Sequence, residues 1–87
     1  LDIHSFYHPG VIAVSEYDKT HGTNFLETLR LYLTYIDNPG KIAEELYIHK
    51  NTVFYRINKL KEKFKLQLDN GDECFKMHMT IKLMELD

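Results

Sequence analysis

From Val53 to Phe64 the apolar residues Val53, Ile57, Leu60 and Phe64 recur at spacings of 4, 3 and 4, a period that only a helix gathers onto one face. The residues between them are mostly polar, so this rod must press one side against other helices and keep the other in water. The rest of the chain offers such partners. His8-Pro9 reads as a helix start, because proline at the first helical position forfeits an amide that would be unpaired anyway. Val11, Val14 and Tyr17 then mark one side of a short helix running to about Lys19, which Thr20-His21-Gly22-Thr23 breaks. Asn24 with Glu27 three residues on has the form of a capping box, and Phe25, Leu26, Leu29, Tyr32, Leu33 and Ile36 follow at helical spacing. Asp37-Asn38-Pro39-Gly40 ends that helix and opens the next, with Asn38 as cap and Pro39 as first residue. Ile42, Ala43 and Leu46 make this third helix short, and Tyr47-Ile48-His49 is a tight connection into the fourth.

The segment beyond the Asp69-Asn70-Gly71-Asp72 turn is ambiguous, since Phe75 to Leu83 alternates apolar and polar residues with the period of a strand. Its Met, Lys, Leu and Glu favour a helix, and no second strand is evident to pair with it. As a helix it carries two apolar stripes nearly opposite each other, Cys74, Met77, Ile81, Met84 and Phe75, Met79, Leu83, Leu86. One stripe can meet the core; the other requires a further partner. The expectation is an all-α fold, a small five-helix domain with a helix-turn-helix at about 38–64. A chain of 87 residues is one domain by size, 1–87.

Composition narrows the function classes. With 44% hydrophobic and 28% charged residues the chain is that of an ordered domain. It has no apolar run of membrane-spanning length, and no secretory leader is expected. Cys74 is the only cysteine, which excludes an internal disulfide and a Cys-based zinc site and fits a reducing cytoplasm. A start at Leu1 without Met is expected of a piece of a longer protein. The net charge of −2 argues against nucleic acid until its distribution is considered. Between Lys50 and Lys65 six cations, Lys50, Arg56, Lys59, Lys61, Lys63 and Lys65, face a single Glu62, a net +5 that leaves −7 for the remainder. A phosphate backbone responds to the local patch more than to the total.

A helix-turn-helix needs a small residue where its helices cross, an apolar residue ending the turn, and apolar residues locking the second helix. Ala43, Ile48, Val53 and Ile57 supply these at offsets 0, 5, 10 and 14. Such a unit presents the first turns of its second helix to the major groove. Base reading then falls to Lys50, Asn51, Thr52 and Tyr55, and backbone contacts to Lys59 and Lys63, all on the outward side with Arg56 and Glu62.

The stretch from Ala43 to Ile57, with His49-Lys50-Asn51-Thr52 and Tyr55-Arg56, resembles the signature of the PucR C-terminal helix-turn-helix family. His8-Pro9, Glu16-Tyr17-Asp18, Gly22-Thr23, Glu27-Thr28-Leu29 and Tyr32-Leu33 resemble its upstream helices. The resemblance implies a bacterial transcription regulator with an effector-sensing region upstream, working on a double-stranded operator, and it carries DNA contact to His49, Lys50, Asn51, Thr52, Tyr55 and Arg56. Two departures stand out: Phe54 occupies a position that is often basic, and Asn38-Pro39-Gly40 replaces a Ser-containing helix start. Helix-turn-helix practice and the second stripe of the last helix add the expectation of a homodimer.

Plainer readings compete. An apolar stripe is usually core, and a Lys-rich face is usually just solvated. A helical protein-interaction module, docking through Phe54, Tyr55 and the outer stripe of the last helix, is the rival function. No enzyme, cofactor or metal is expected. His4, His8, His21, His49 and His78 lack metal-site spacing, and Glu44 and Glu45 sit beside no nucleophile. Cys74 reads as a small apolar group rather than a redox sensor.

Overall fold

The computed structural model describes residues 2–87. One turn of 3-10 helix, Ile3–Phe6, leads into five α-helices: α1 Pro9–His21, α2 Phe25–Thr34, α3 Pro39–Leu46, α4 Lys50–Glu62 and α5 Gly71–Leu86. No strand occurs among the described residues, so the period-2 stretch is helical as expected. The α2 helix is the hub, packing against each of the other four. Every α-helix contributes to one core, in which Val11, Val14, Leu29, Ile42, Val53, Leu60 and Met77 are fully shielded from water. No helix is long and apolar enough to cross a membrane among the described residues.

The helix starts show how local chemistry sets the packing. Before α1, His8 Nδ1 accepts from the Gly10 amide at 3.0 Å. A backbone amide can only donate, so Nδ1 holds a lone pair, and Nε2 lies 2.9 Å from Glu73 Oε1. The His8 amide donates to Thr80 Oγ1 at 2.8 Å, so one buried residue caps α1 and ties it to α5. Gly10 permits this junction, because a Cβ there would lie 2.5 Å from Leu66 Cδ2 and 2.9 Å from His8 Cε1. Leu66 is itself buried. Gly10→Ala is therefore expected to destabilise the domain by about 1–2 kcal/mol despite alanine's better helix propensity. A thermal melt no lower than that of the parent would show that Leu66 yields freely.

The α1 helix runs two residues past Lys19 and stops at Gly22, whose φ of 65° is left-handed. The expected capping box does not form. Asn24 makes no cap hydrogen bond, and Glu27 instead pairs with Arg30 one turn along. The cap comes from the preceding helix: Asp18 Oδ1 accepts from the Phe25 amide at 3.0 Å and Oδ2 from the Leu26 amide at 2.8 Å. The left-handed turn at Gly22 folds the start of α2 back over Asp18, and a full negative charge suits the positive helix end better than a carboxamide. The second correction is Ile36. The α2 helix ends at Thr34, leaving Ile36 outside the helix and 59% exposed.

Asn38 caps α3 as expected, accepting from the Lys41 amide at 3.2 Å with Pro39 first in the helix. At the other end α4 closes through Lys65 at φ 58°, with the Leu66 amide donating to the Leu60 carbonyl at 3.2 Å. That turn places Leu66 and Leu68 in the core. Phe64, just past α4, completes an aromatic cluster with Tyr17 and Phe25, at centroid distances of 5.3 and 5.8 Å. In α5 the stripe of Met77 and Ile81 is buried, while Phe75 is 71% and Leu86 82% exposed. The two-stripe expectation holds, with Phe75, Met79 and Leu86 of the outer stripe exposed and Leu83 half-buried.

Candidate nucleic-acid interface

The α3 and α4 helices form a helix-turn-helix. Its turn is fixed by Tyr47, which adopts φ 55° and ψ 43° at the end of α3, a left-handed conformation that glycine takes with less strain. The Tyr47 side chain gains nothing in exchange, being 95% exposed. The Ile48 amide donates to the Ala43 carbonyl at 3.1 Å, closing the turn. Ala43 and Ile48 pack against the core, and Val53 and Ile57 lie in it, so the four residues at offsets 0, 5, 10 and 14 all lock the crossing.

His49 caps α4, its Nδ1 accepting from the Asn51 amide at 3.0 Å. In the neutral ring the proton is then on Nε2, a donor left facing outward. Lys50 and Asn51 are exposed on the leading turn, and Tyr55 one turn on is exposed with Lys59 Nζ 5.5 Å from its ring centroid. The remaining expected residues are not simply outward. Thr52, Arg56 and Lys59 are half-buried, and with Lys63 they form a line at spacings of 4, 3 and 4 that turns toward the corner between α1 and α2. Lys63 Nζ sits 4.9 Å from the Tyr17 ring. Arg56 Nη1 donates to Thr28 Oγ1 of α2 at 3.3 Å.

The polar side of α4 thus divides into three lines. The middle carries Asn51, Tyr55 and Glu62, the one anion of the segment, with Lys59, Lys61, Lys63 and Lys65 around it. One flank is the cationic line just described. The other holds Phe54, Asn58 and Lys61 beside Asn38 and Pro39 at the start of α3. Asn58 was not singled out in the sequence, although the 4, 3 spacing of Phe54, Asn58 and Lys61 marks them as one line. Also unforeseen is an open groove of about 470 Å³ between α4 and the α1–α2 corner, lined by Thr23, Asn24, Thr52, Tyr55 and Arg56 among others.

Other candidates lead elsewhere. Among the described residues no three His, Cys, Asp or Glu side chains gather as a metal site. Cys74 is half-buried and donates to the Leu68 carbonyl, and burial pushes its thiol above the ordinary range, the opposite of a reactive thiolate.

Comparison with known proteins agrees with this geometry. The family model for the PucR C-terminal helix-turn-helix domain matches residues 25–83. Three curated relatives, all from Bacillus subtilis (strain 168), are similar over most of the chain. The DNA-binding transcriptional activator AdeR is 28% identical over 93% of the chain and 19% of its own length. The Purine catabolism regulatory protein is 26% identical over 98% of the chain and 16% of its own length. The Proline-responsive transcriptional activator PutR is 31% identical over 78% of the chain and 16% of its own length. The chain therefore spans less than a fifth of the length of these relatives. No solved structure matches the chain at a significant level.

Proposed function

Because the chain belongs to the PucR C-terminal helix-turn-helix family, we propose that residues 1–87 are one DNA-binding domain of a longer regulator, holding a double-stranded operator with α4 in the major groove. The observation that carries this is the leading end of α4. His49, Lys50, Asn51 and Tyr55 are all exposed there, on a helix locked to α3, and cationic side chains follow along the same helix. In this reading Lys50, Asn51, Thr52 and Tyr55 meet base edges, and His49, Arg56, Lys59 and Lys63 meet the backbone. The role is binding, not catalysis, with the upstream region of the chain sensing an effector in the cytoplasm. A homodimer would present two such helices to the two halves of a palindromic site.

Fluorescence anisotropy against the regulator's own promoter and a random duplex, each at several salt concentrations, tests it. Lys50→Ala and Asn51→Ala are each expected to cost about 1–3 kcal/mol on the promoter site for every base edge they cease to read, with Asn51→Ala changing little on random DNA. Lys59→Ala should weaken both and lower the salt slope by about one unit. No binding to either duplex at low salt would instead favour an apolar docking module.

A further inference from the structure

We propose that the groove between α4 and the α1–α2 corner is a seat for one phosphodiester of the DNA strand bordering the major groove, gripped by Arg56 and flanked by Asn24. The inference rests on the DNA-binding reading and adds a contact from outside the helix-turn-helix unit.

Arg56 is the central observation. A guanidinium carries five N–H donors, and the structure uses one, on Thr28 Oγ1. Thr28 is completely buried and donates its own proton to the Asn24 carbonyl at 3.1 Å, so the anchor is itself held from behind. The anchor is neutral, and it orients the Arg56 charge without cancelling it. Among the described residues no carboxylate forms an ion pair with Arg56, whereas Arg30, the only other arginine, is paired with Glu27. A half-buried, oriented and uncancelled guanidinium lining an open groove fits a tetrahedral oxyanion.

The surroundings agree. Lys59 and Lys63 extend the cationic line along the same flank, Lys63 over Tyr17, which also lines the groove. Asp18, the carboxylate of this corner, has both oxygens engaged by the Phe25 and Leu26 amides. Those amides are thereby occupied, so the seat is built from side chains and is not a helix terminus. The Arg56 fork, tethered to α2 on the flank of α4, is badly placed for a bidentate approach to a base edge, which needs the leading side chains Lys50 and Asn51. The strand passing beside α4 offers phosphates instead.

The test is anisotropy with a random 30-base-pair duplex over a salt series, each variant's fold being checked by thermal melting. Arg56→Gln is expected to lower the salt slope by about one unit, about tenfold in affinity at 0.1 M salt. Asn24→Asp, which places a competing negative charge in the groove that Arg56 lines, should weaken binding several-fold. Lys76→Gln, the same change of one charge on α5, should stay within about twofold. If the parent binds with a steep salt dependence while Arg56→Gln and Asn24→Asp match it, the seat is wrong and the DNA-binding reading survives. If the parent binds no duplex at low salt, the DNA-binding reading itself fails and takes the seat with it. Saturable uptake of inorganic phosphate at the Arg56 side-chain resonances, with duplex affinity unchanged in Arg56→Gln, would assign the groove to a free anion and overturn the proposal.

Discussion

Leu29→Ala should lower the stability of this domain by about 2–5 kcal/mol, the range for emptying a fully enclosed leucine site. Leu29 has no exposure and lies on α2, the helix that packs against all four others. Collapse around the void would have to move several helices at once, which favours the upper part of the range. A domain of 87 residues has a total stability of about 4–13 kcal/mol, so the variant gives up much of what holds α4 in place. A fall of roughly 4–8 °C in melting temperature per kcal/mol is expected at this size. Circular dichroism melts decide the matter, and a drop under about 5 °C would show that α2 is not the hub of the core.

The second large effect separates two caps. Asp18→Ala removes the acceptor of the Phe25 and Leu26 amides and of the Thr23 hydroxyl in one step. Hydrogen bonds to a charged acceptor, together with the loss of a helix cap, put the cost at about 2–3 kcal/mol. Asn24→Ala should cost no more than about 0.5 kcal/mol, because Asn24 does not cap α2. Urea titrations of the two variants side by side would reverse this order if the capping box formed in solution.

That contrast shows how much of the molecule is legible in the chain. Helix existence and class are legible because they follow from spacing and from single residues: Pro39 behind Asn38, the 4-3-4 stripe of α4, the offsets that lock α3 to α4. The period-2 stretch of α5 is also decidable, since its composition and the want of a partner strand outweigh its pattern. The cap of α2 is not legible, because the residue that makes it stands in another helix and reaches the amides only through the left-handed turn at Gly22. The same limit applies to the interface. Outward-facing positions on α4 follow from a helical wheel, but a wheel has no knowledge of α2. Only the fold reveals that Arg56 bends back to Thr28 and that Thr23 and Asn24 come alongside. His8 is a third instance: its position before Pro9 marks a helix start, while its bonds to Glu73 and Thr80 join residues more than 60 positions apart.

The uncovered apolar stripe of α5 has a bearing on how a regulator of this type could be wired. The α5 helix packs on α1 and α2, whereas the cations gather on α4. In the proposed reading, a partner settling over Phe75, Met79 and Leu86 would be held by a different helix from the one that meets DNA, so the domain would be tethered through α5 and engaged through α4.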